Sequence, residues 1–278
     1  MTQNNPPEGH WLIVSDLDGT LLDHYDYSHR EVDGLLRRLE QRRVPVILNS
    51  SKTFAEMLEI RRQLHNRHPF IVENGSAVCI PGGYFAEMPP AAKAREHFHI
   101  IETGSSRASL LAFLQRDAAE NGAPYLSFSA ASREEIIEAT GLSDEQARAA
   151  QNRDYSEPLL WRGSEGEKQA FAARARGAGL STLQGGRFLH LLGATDKGRA
   201  TLKLLDCYRR YRHTDYRLIA AGDSPNDLDM LKVADIAAIV RAPHSPPPEL
   251  EATPERQVML SQATGPAGWR EIIEPLFP

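Results

Sequence analysis

Asp16 and Asp18 stand two residues apart in Asp16-Leu17-Asp18-Gly19-Thr20, and Asp223 and Asp227 stand four apart in Gly222-Asp223-Ser224-Pro225-Asn226-Asp227. Each pair follows a short apolar run, so each sits where a buried strand delivers polar residues at its carboxyl end. Gly19-Thr20 permits the turn that keeps the first pair there. Four carboxylates gathered in one place repel one another and call for a divalent cation, and an oxygen-only, water-rich donor set suits octahedral Mg²⁺. Such a metal without a nucleotide cradle points to phosphate chemistry, in which one carboxylate attacks phosphorus while the metal neutralises phosphoryl oxygens. Two further groups are then required. Ser50, ending a second apolar run, offers a hydroxyl and a backbone N–H to a phosphoryl group. Lys197, in Thr195-Asp196-Lys197-Gly198 at the start of a helical pattern, supplies the compensating cation.

The elements that must position these residues alternate. The apolar run at 11–15 precedes Asp16, and Val32, Leu35, Leu36 and Leu39 then fall at helical spacing until Pro45. The run at 44–48 precedes Ser50, a helical stretch extends through Leu64, and a third strand starts at Phe70. After a long interval the alternation resumes, with helices at 197–211 and 227–233, strands at 216–221 and 236–240, and a closing helix or tail at 269–276. This predicts an α/β fold: a doubly wound parallel sheet with helices on both faces and ligands beyond the strands' carboxyl ends. Pro81-Gly82-Gly83 and Pro89-Pro90 break the pattern. The expected division is therefore a core of residues 1–82 and 195–278, with a smaller α+β domain inserted at 83–194.

Composition narrows the function classes. The chain has 278 residues, 41% of them hydrophobic and 25% charged, as expected of a folded protein with a sizeable core. Thirty-seven acidic and 32 basic residues leave a net charge of -5, which gives no positive field to attract nucleic acid. No apolar run reaches the roughly 20 residues needed to span a bilayer, and the polar, proline-containing residues 1–9 lack a secretory pattern, so a cytoplasmic protein is expected. Cys79 and Cys207 match no zinc or disulfide spacing and read as buried thiols. No motif speaks to oligomeric state.

DLDGT at 16–20, Ser50, Lys197 and GDSPND at 222–227 together resemble the four ordered motifs of the haloacid dehalogenase superfamily. The resemblance implies that Asp16 is the nucleophile, that Asp18 is the general acid and then the general base, and that Ser50 and Lys197 hold the phosphoryl group. It also implies Mg²⁺ held by the carboxylates of Asp16 and Asp223 and the backbone carbonyl of Asp18, supported by Asp227, and a cap built from the insert. SDLDGTLLDHYDY at 15–27, SSKT at 50–53, VENG at 72–75, DYSEP at 154–158 and GRFLHLLG at 186–193 are similar to the mannosyl-3-phosphoglycerate phosphatase branch. That likeness implies hydrolysis of a small phosphorylated sugar acid to mannosylglycerate, a compatible solute, and phosphate. It nominates Ser51, Lys52, Glu73 and Asn74 in the core, and Ser156, Glu157, Arg187 and His190 in the cap, as substrate contacts. The residues alone leave His190 as a core histidine or a contact, and Glu157 as a solvated turn or a contact. They also leave open a glucosyl-3-phosphoglycerate or another sugar phosphate as substrate, a phosphomutase, and a non-catalytic protein that binds a phosphorylated metabolite.

Overall fold

The computed structural model describes residues 9–185 and 187–278. Residues 1–8, most of the polar lead, and Gly186, the first residue of GRFLHLLG, lie outside them. The core begins with β1 (His10–Ser15), α1 (Asp33–Gln41), β2 (Val46–Asn49), α2 (Phe54–Gln63) and β3 (Phe70–Val72). These residues become strands because their apolar side chains are buried on both faces. Trp11 and Ile13 of β1 join a core with Leu35, Leu39, Phe54 and Met57, whereas Leu12 and Val14 join another with Ile47 and Ile71. Helix α2 is started by a reciprocal cap, the Thr53 hydroxyl accepting from the Glu56 N–H while the Glu56 carboxylate accepts from the Thr53 N–H.

Next come β4 (Ala77–Pro81), β5 (Lys93–Arg95) and β6 (Phe98–Glu102). All three extend the large sheet through antiparallel pairs, β4 with β3, β6 with β4 and β5 with β6, so the segment that ends at Glu102 belongs to the large sheet and not to the insert. The crossing expected at residue 83 comes some twenty residues later, between Glu102 and α3 (Arg107–Asn121). The Pro-Gly-Gly and Pro-Pro breakers shape the excursion between β4 and β5 rather than a departure to another domain. The insert continues through β7 (Tyr125–Ser127), α4 (Arg133–Thr140), α5 (Asp144–Gln151), β8 (Ser156–Trp161), α6 (Glu165–Gly177), β9 (Leu180–Gly185) and β10 (Phe188–Gly193). Its antiparallel sheet runs β7-β8-β10-β9. Leu159, Leu189 and Leu191 pack on Leu110, Phe113 and Phe171 of α3 and α6, and this second core gives the insert its own stability.

The core resumes with α7 (Lys197–Arg212), β11 (Tyr216–Gly222), α8 (Leu228–Lys232), β12 (Ile236–Arg241), β13 (Gln257–Thr264) and α9 (Gly265–Ile273). Strand β13, an edge with only one buried side chain, carries too weak an apolar pattern to be recognised by periodicity. The nine-stranded order is β13-β12-β11-β1-β2-β3-β4-β6-β5, parallel from β13 to β3. From β1 the chain winds outward through β2 and β3, then returns on the other side through β11 and β12. The switch point lies between β1 and β11, where such sheets open a crevice at their carboxyl ends. Cys79 and Cys207 are buried free thiols. No helix among the described residues is long and apolar enough to cross a membrane.

Candidate active site

Asp16 leaves β1 and Asp223 leaves β11 at that switch point, in adjacent strands whose register pairs Ser15 with Ala221. Oxygens of Asp16, Asp223 and Asp227 lie within 4.8 Å of one another, and all three residues are buried. Gly19 makes the approach possible. It takes a φ of +81°, and a Cβ there would press against the Asp223 carboxylate. The Thr20 hydroxyl donates to Asp223 Oδ1 at 3.0 Å.

Lys197 is the first residue of α7, whose start is fixed by the Asp196 carboxylate accepting from the Arg199 N–H at 2.7 Å. Its buried ammonium donates to Asp16 Oδ1 at 2.6 Å and to Asp227 Oδ1 at 2.7 Å. Asp227 Oδ2 accepts from the N–H groups of Asp223 and Ser224, each at 3.1 Å, so both its oxygens are engaged in holding the site together. Asn49 Nδ2 donates to the Lys197 carbonyl at 3.2 Å and anchors the first turn of α7 beside β2.

Three carboxylates face one ammonium, which leaves two negative charges to be offset by a group of matching charge. The imbalance is visible in the acidities. Burial pushes the Asp16 carboxyl well above its ordinary value, against the pull of Lys197. Burial and the neighbouring Asp227 push Asp223 up to about 7. Burial opposes protonation of Lys197, but Asp16 and Asp227 outweigh it and hold the ammonium charged. A buried, oxygen-only cluster with two uncompensated charges fits a divalent hard cation.

Asp18 stands beside this cluster rather than within it. Its Oδ2 is 2.8 Å from Lys52 Nζ, while its Oδ1 is buried without a hydrogen-bond partner among the described residues. Burial would lower the pKa of Lys52, but the Asp18 and Glu56 carboxylates prevail and raise it to about 12. Ser50 is buried in the loop after β2; its N–H donates to the Ile71 carbonyl and its Oγ accepts from the Lys52 N–H at 3.3 Å. The structure thus brings Asp16, Asp18, Ser50, Lys52, Lys197, Asp223 and Asp227 to one end of the sheet.

The other nominated residues divide. Glu73 is fully buried and its carboxylate accepts from the N–H groups of Asp154 (2.9 Å) and Tyr155 (3.2 Å) and from the Ser156 hydroxyl (2.6 Å). Glu73 and Ser156 therefore bind each other across the core–cap boundary. Arg95–Asp154 at 2.5 Å and Tyr155 Oη to Glu102 at 3.2 Å add to this staple. Glu157 follows the opposite face of β8, with Leu159, and its buried carboxylate takes Arg107 Nε at 2.8 Å and the Ser129 N–H at 2.6 Å. Period-two alternation turns it toward Arg107 of α3 and away from solvent. Arg187 is exposed and donates to the Ala139 carbonyl at 2.6 Å, at the end of α4.

Asn74 and His190 remain available. Asn74 Oδ1 and His190 Nδ1 are buried without partners among the described residues. Ser51 uses its carbonyl to accept from Arg153 Nη1 at 3.2 Å. Arg153 was not among the sequence-nominated residues. It immediately precedes the DYSEP segment, but a single arginine in a polar loop carries no periodicity or spacing signal. Thr20 and Asn49, also missed as site residues, lie inside or beside motifs whose acids and hydroxyls drew the attention.

A family profile described as haloacid dehalogenase-like hydrolase matches residues 13–119. A glucosyl-3-phosphoglycerate/mannosyl-3-phosphoglycerate phosphatase of Methanococcoides burtonii is 33% identical over 267 residues, covering 96% of this chain and 97% of that protein. Among solved structures, a haloacid dehalogenase-like hydrolase from Bacillus subtilis superposes with a TM-score of 0.57 at 18% identity, over 81% of this chain and 88% of the other. The sucrose-phosphatase of Synechocystis sp. PCC6803, solved with sucrose and phosphate, superposes with a TM-score of 0.59 at 13% identity, over 97% of this chain and 98% of that one. At these identities the two structures speak to the fold, cap included.

Proposed function

The chain belongs to the haloacid dehalogenase-like hydrolase family and is a phosphoric monoester hydrolase, and from that premise we propose that it releases phosphate from mannosyl-3-phosphoglycerate. The observation that carries this reading is the 33% identity to the Methanococcoides phosphatase, sustained over core and cap together. The name of that relative also covers the glucosyl compound, which is the second reading. In either case the substrate is a small phosphorylated sugar acid.

Asp16 is the nucleophile in this proposal. Lys197 Nζ holds its Oδ1, fixing the carboxylate and opposing the effect of burial on its charge, so Oδ2 is the oxygen that attacks phosphorus. The P–O bond to the glyceryl group breaks as Asp16 bonds to phosphorus, and the departing oxygen takes the proton of Asp18. The partnerless Oδ1 of Asp18 is suited to that transfer, since Oδ2 is occupied by Lys52. Asp18, now ionised, takes a proton from water; the water oxygen attacks phosphorus and frees Asp16 with inorganic phosphate. Ser50 and Lys197 hold the phosphoryl oxygens through both steps. Mg²⁺, held by the carboxylates of Asp16 and Asp223 and the Asp18 carbonyl with Asp227 behind them, would supply neutralisation of phosphoryl charge.

The test is phosphate release from mannosyl-3-phosphoglycerate, its glucosyl analogue, 3-phosphoglycerate and hexose phosphates, with Mg²⁺ or EDTA, and with Asp16→Asn as the blank. Strong preference for the mannosyl compound is expected. Preference for the glucosyl compound selects the second reading, and EDTA-insensitive release overturns the metal assignment.

A further inference from the structure

Arg153 follows α5 in the cap, and its side chain is 6% exposed. One terminal nitrogen, Nη1, donates to the Ser51 carbonyl at 3.2 Å and to the Ser156 hydroxyl at 2.9 Å. Its Nε is buried and has no hydrogen-bond partner among the described residues. The carboxylate nearest to it, Glu73, lies 4.0 Å away, and the Glu73 oxygens already accept from Asp154, Tyr155 and Ser156. The guanidinium carbon lies over the Phe128 ring, 5.8 Å from its centroid. Glu73 offsets the guanidinium charge without a hydrogen bond to it, and a buried N–H with no acceptor is costly.

The position says which anion. Ser51, to which Arg153 is bonded, stands between Ser50 on the phosphoryl side and Lys52, which pairs with Asp18. Arg153 is therefore joined to the segment that flanks both the phosphoryl side and Asp18, where a leaving group whose ester oxygen faces Asp18 would lie. A carboxylate matches the fork of guanidinium donors that Glu73, at 4.0 Å, leaves unbonded, and accepts from it more strongly than sugar hydroxyls do.

We infer that Arg153 recognises a carboxylate carried by the leaving group, so that this site selects phosphate esters of hydroxy acids over those of neutral sugars and polyols. The inference deepens the proposed function and rests on the leaving group being placed by Asp18. It also moves the cap's anion recognition from Arg187, which is exposed and committed to α4, to a residue wedged between core and cap. His190 is compatible with this role. Burial and the Arg153 charge push its imidazole down to about 3, so it stays neutral and adds no rival cation, while its Nδ1 is buried without a partner among the described residues.

The experiment compares kcat/KM for paired substrates in wild type, Arg153→Gln and Arg153→Lys, all in Mg²⁺. One pair is mannosyl-3-phosphoglycerate and its carboxamide; the other is 3-phosphoglycerate and glycerol 3-phosphate, which differ only at the carboxylate position. A charge-assisted hydrogen bond corresponds to roughly 10- to 100-fold in rate constant. Wild type is expected to prefer the acid of each active pair by that factor, Arg153→Gln to lose the preference, and Arg153→Lys to retain part of it. Thermal melts of each variant establish that it is folded. Equal slowing of acid and amide in Arg153→Gln would make the residue a staple only and overturn the inference, as would a wild type that does not distinguish acid from amide. Should Arg153→Gln not fold, the wild-type and Arg153→Lys ratios decide by the same criteria. Failure to hydrolyse mannosyl-3-phosphoglycerate defeats the substrate reading alone, because the phosphoglycerate pair still reports on Arg153.

Discussion

Glu73→Ala removes the buried carboxylate that joins core to cap. In the wild type it accepts two backbone N–H groups, of Asp154 and Tyr155, and the Ser156 hydroxyl, and it stands 4.0 Å from Arg153. Each donor left unpaired in a buried place costs about 1–3 kcal/mol. Water entering the vacated volume returns part of that, so the net loss is about 3–5 kcal/mol. For chains above 150 residues each kcal/mol moves the melting temperature by about 2–4 °C, which predicts a fall of roughly 10 °C. Glu73→Gln, which keeps one acceptor oxygen, should lose about half as much. Differential scanning calorimetry reads the shift, and limited proteolysis reads its location: the connections at 103–106 and 194–196 should be cut faster once the staple is gone. A fall below about 2 °C with unchanged cleavage would refute the structural role and return Glu73 to the substrate contacts nominated by the VENG motif.

Three further perturbations follow from the same geometry. His190 is held at about 3, well below the ordinary value of 6.5, by burial and Arg153. An unfolded chain therefore takes up a proton there before the folded one does. Its stabilising contribution is complete above pH 6.5 and is lost as the pH falls from 6.5 toward 3. Between pH 7.5 and 5, urea unfolding should show wild type losing about 2 kcal/mol more than His190→Gln, and parallel pH curves would contradict the assignment. Lys197→Met leaves the Asp16 and Asp227 carboxylates buried without their cation; a loss of about 3–5 kcal/mol in stability and at least about 1000-fold in phosphate release is expected. Gly75→Ala places a methyl group against the Asp196 carbonyl at a φ of +88°, and the variant should be recovered insoluble or melt far below wild type.

Much of the core was legible because its signals are local. The apolar runs before Asp16, Ser50 and Asp223 are buried strands, and α7 starts at Lys197 within a residue of where the helical pattern begins. The order of those motifs was enough to predict a doubly wound sheet, since alternating strands and helices have few other ways to bury both faces. The edge strands β5 and β13, and β6 beside the first of them, were illegible for the converse reason. Short, half-exposed strands lack a strong period, and the proline and glycine clusters between β4 and β5 look the same at an excursion as at a domain crossing.

The amino-acid sequence by itself determined the chemistry available at the end of the sheet: two acid pairs, a hydroxyl and a lysine in an order that few other functions use. Only the tertiary structure decided what each motif residue touches. DYSEP and VENG read alike as ligand-binding segments, yet Glu73 and Ser156 close on each other, Glu157 turns to Arg107, and Arg187 caps a cap helix. Arg153, with no motif to announce it, is left with an unspent buried donor between core and cap. A strand's hydrophobic period is written within a few neighbouring residues, but the pairing of a buried charge depends on groups brought together from distant parts of the chain, and only folding sets that distance to zero.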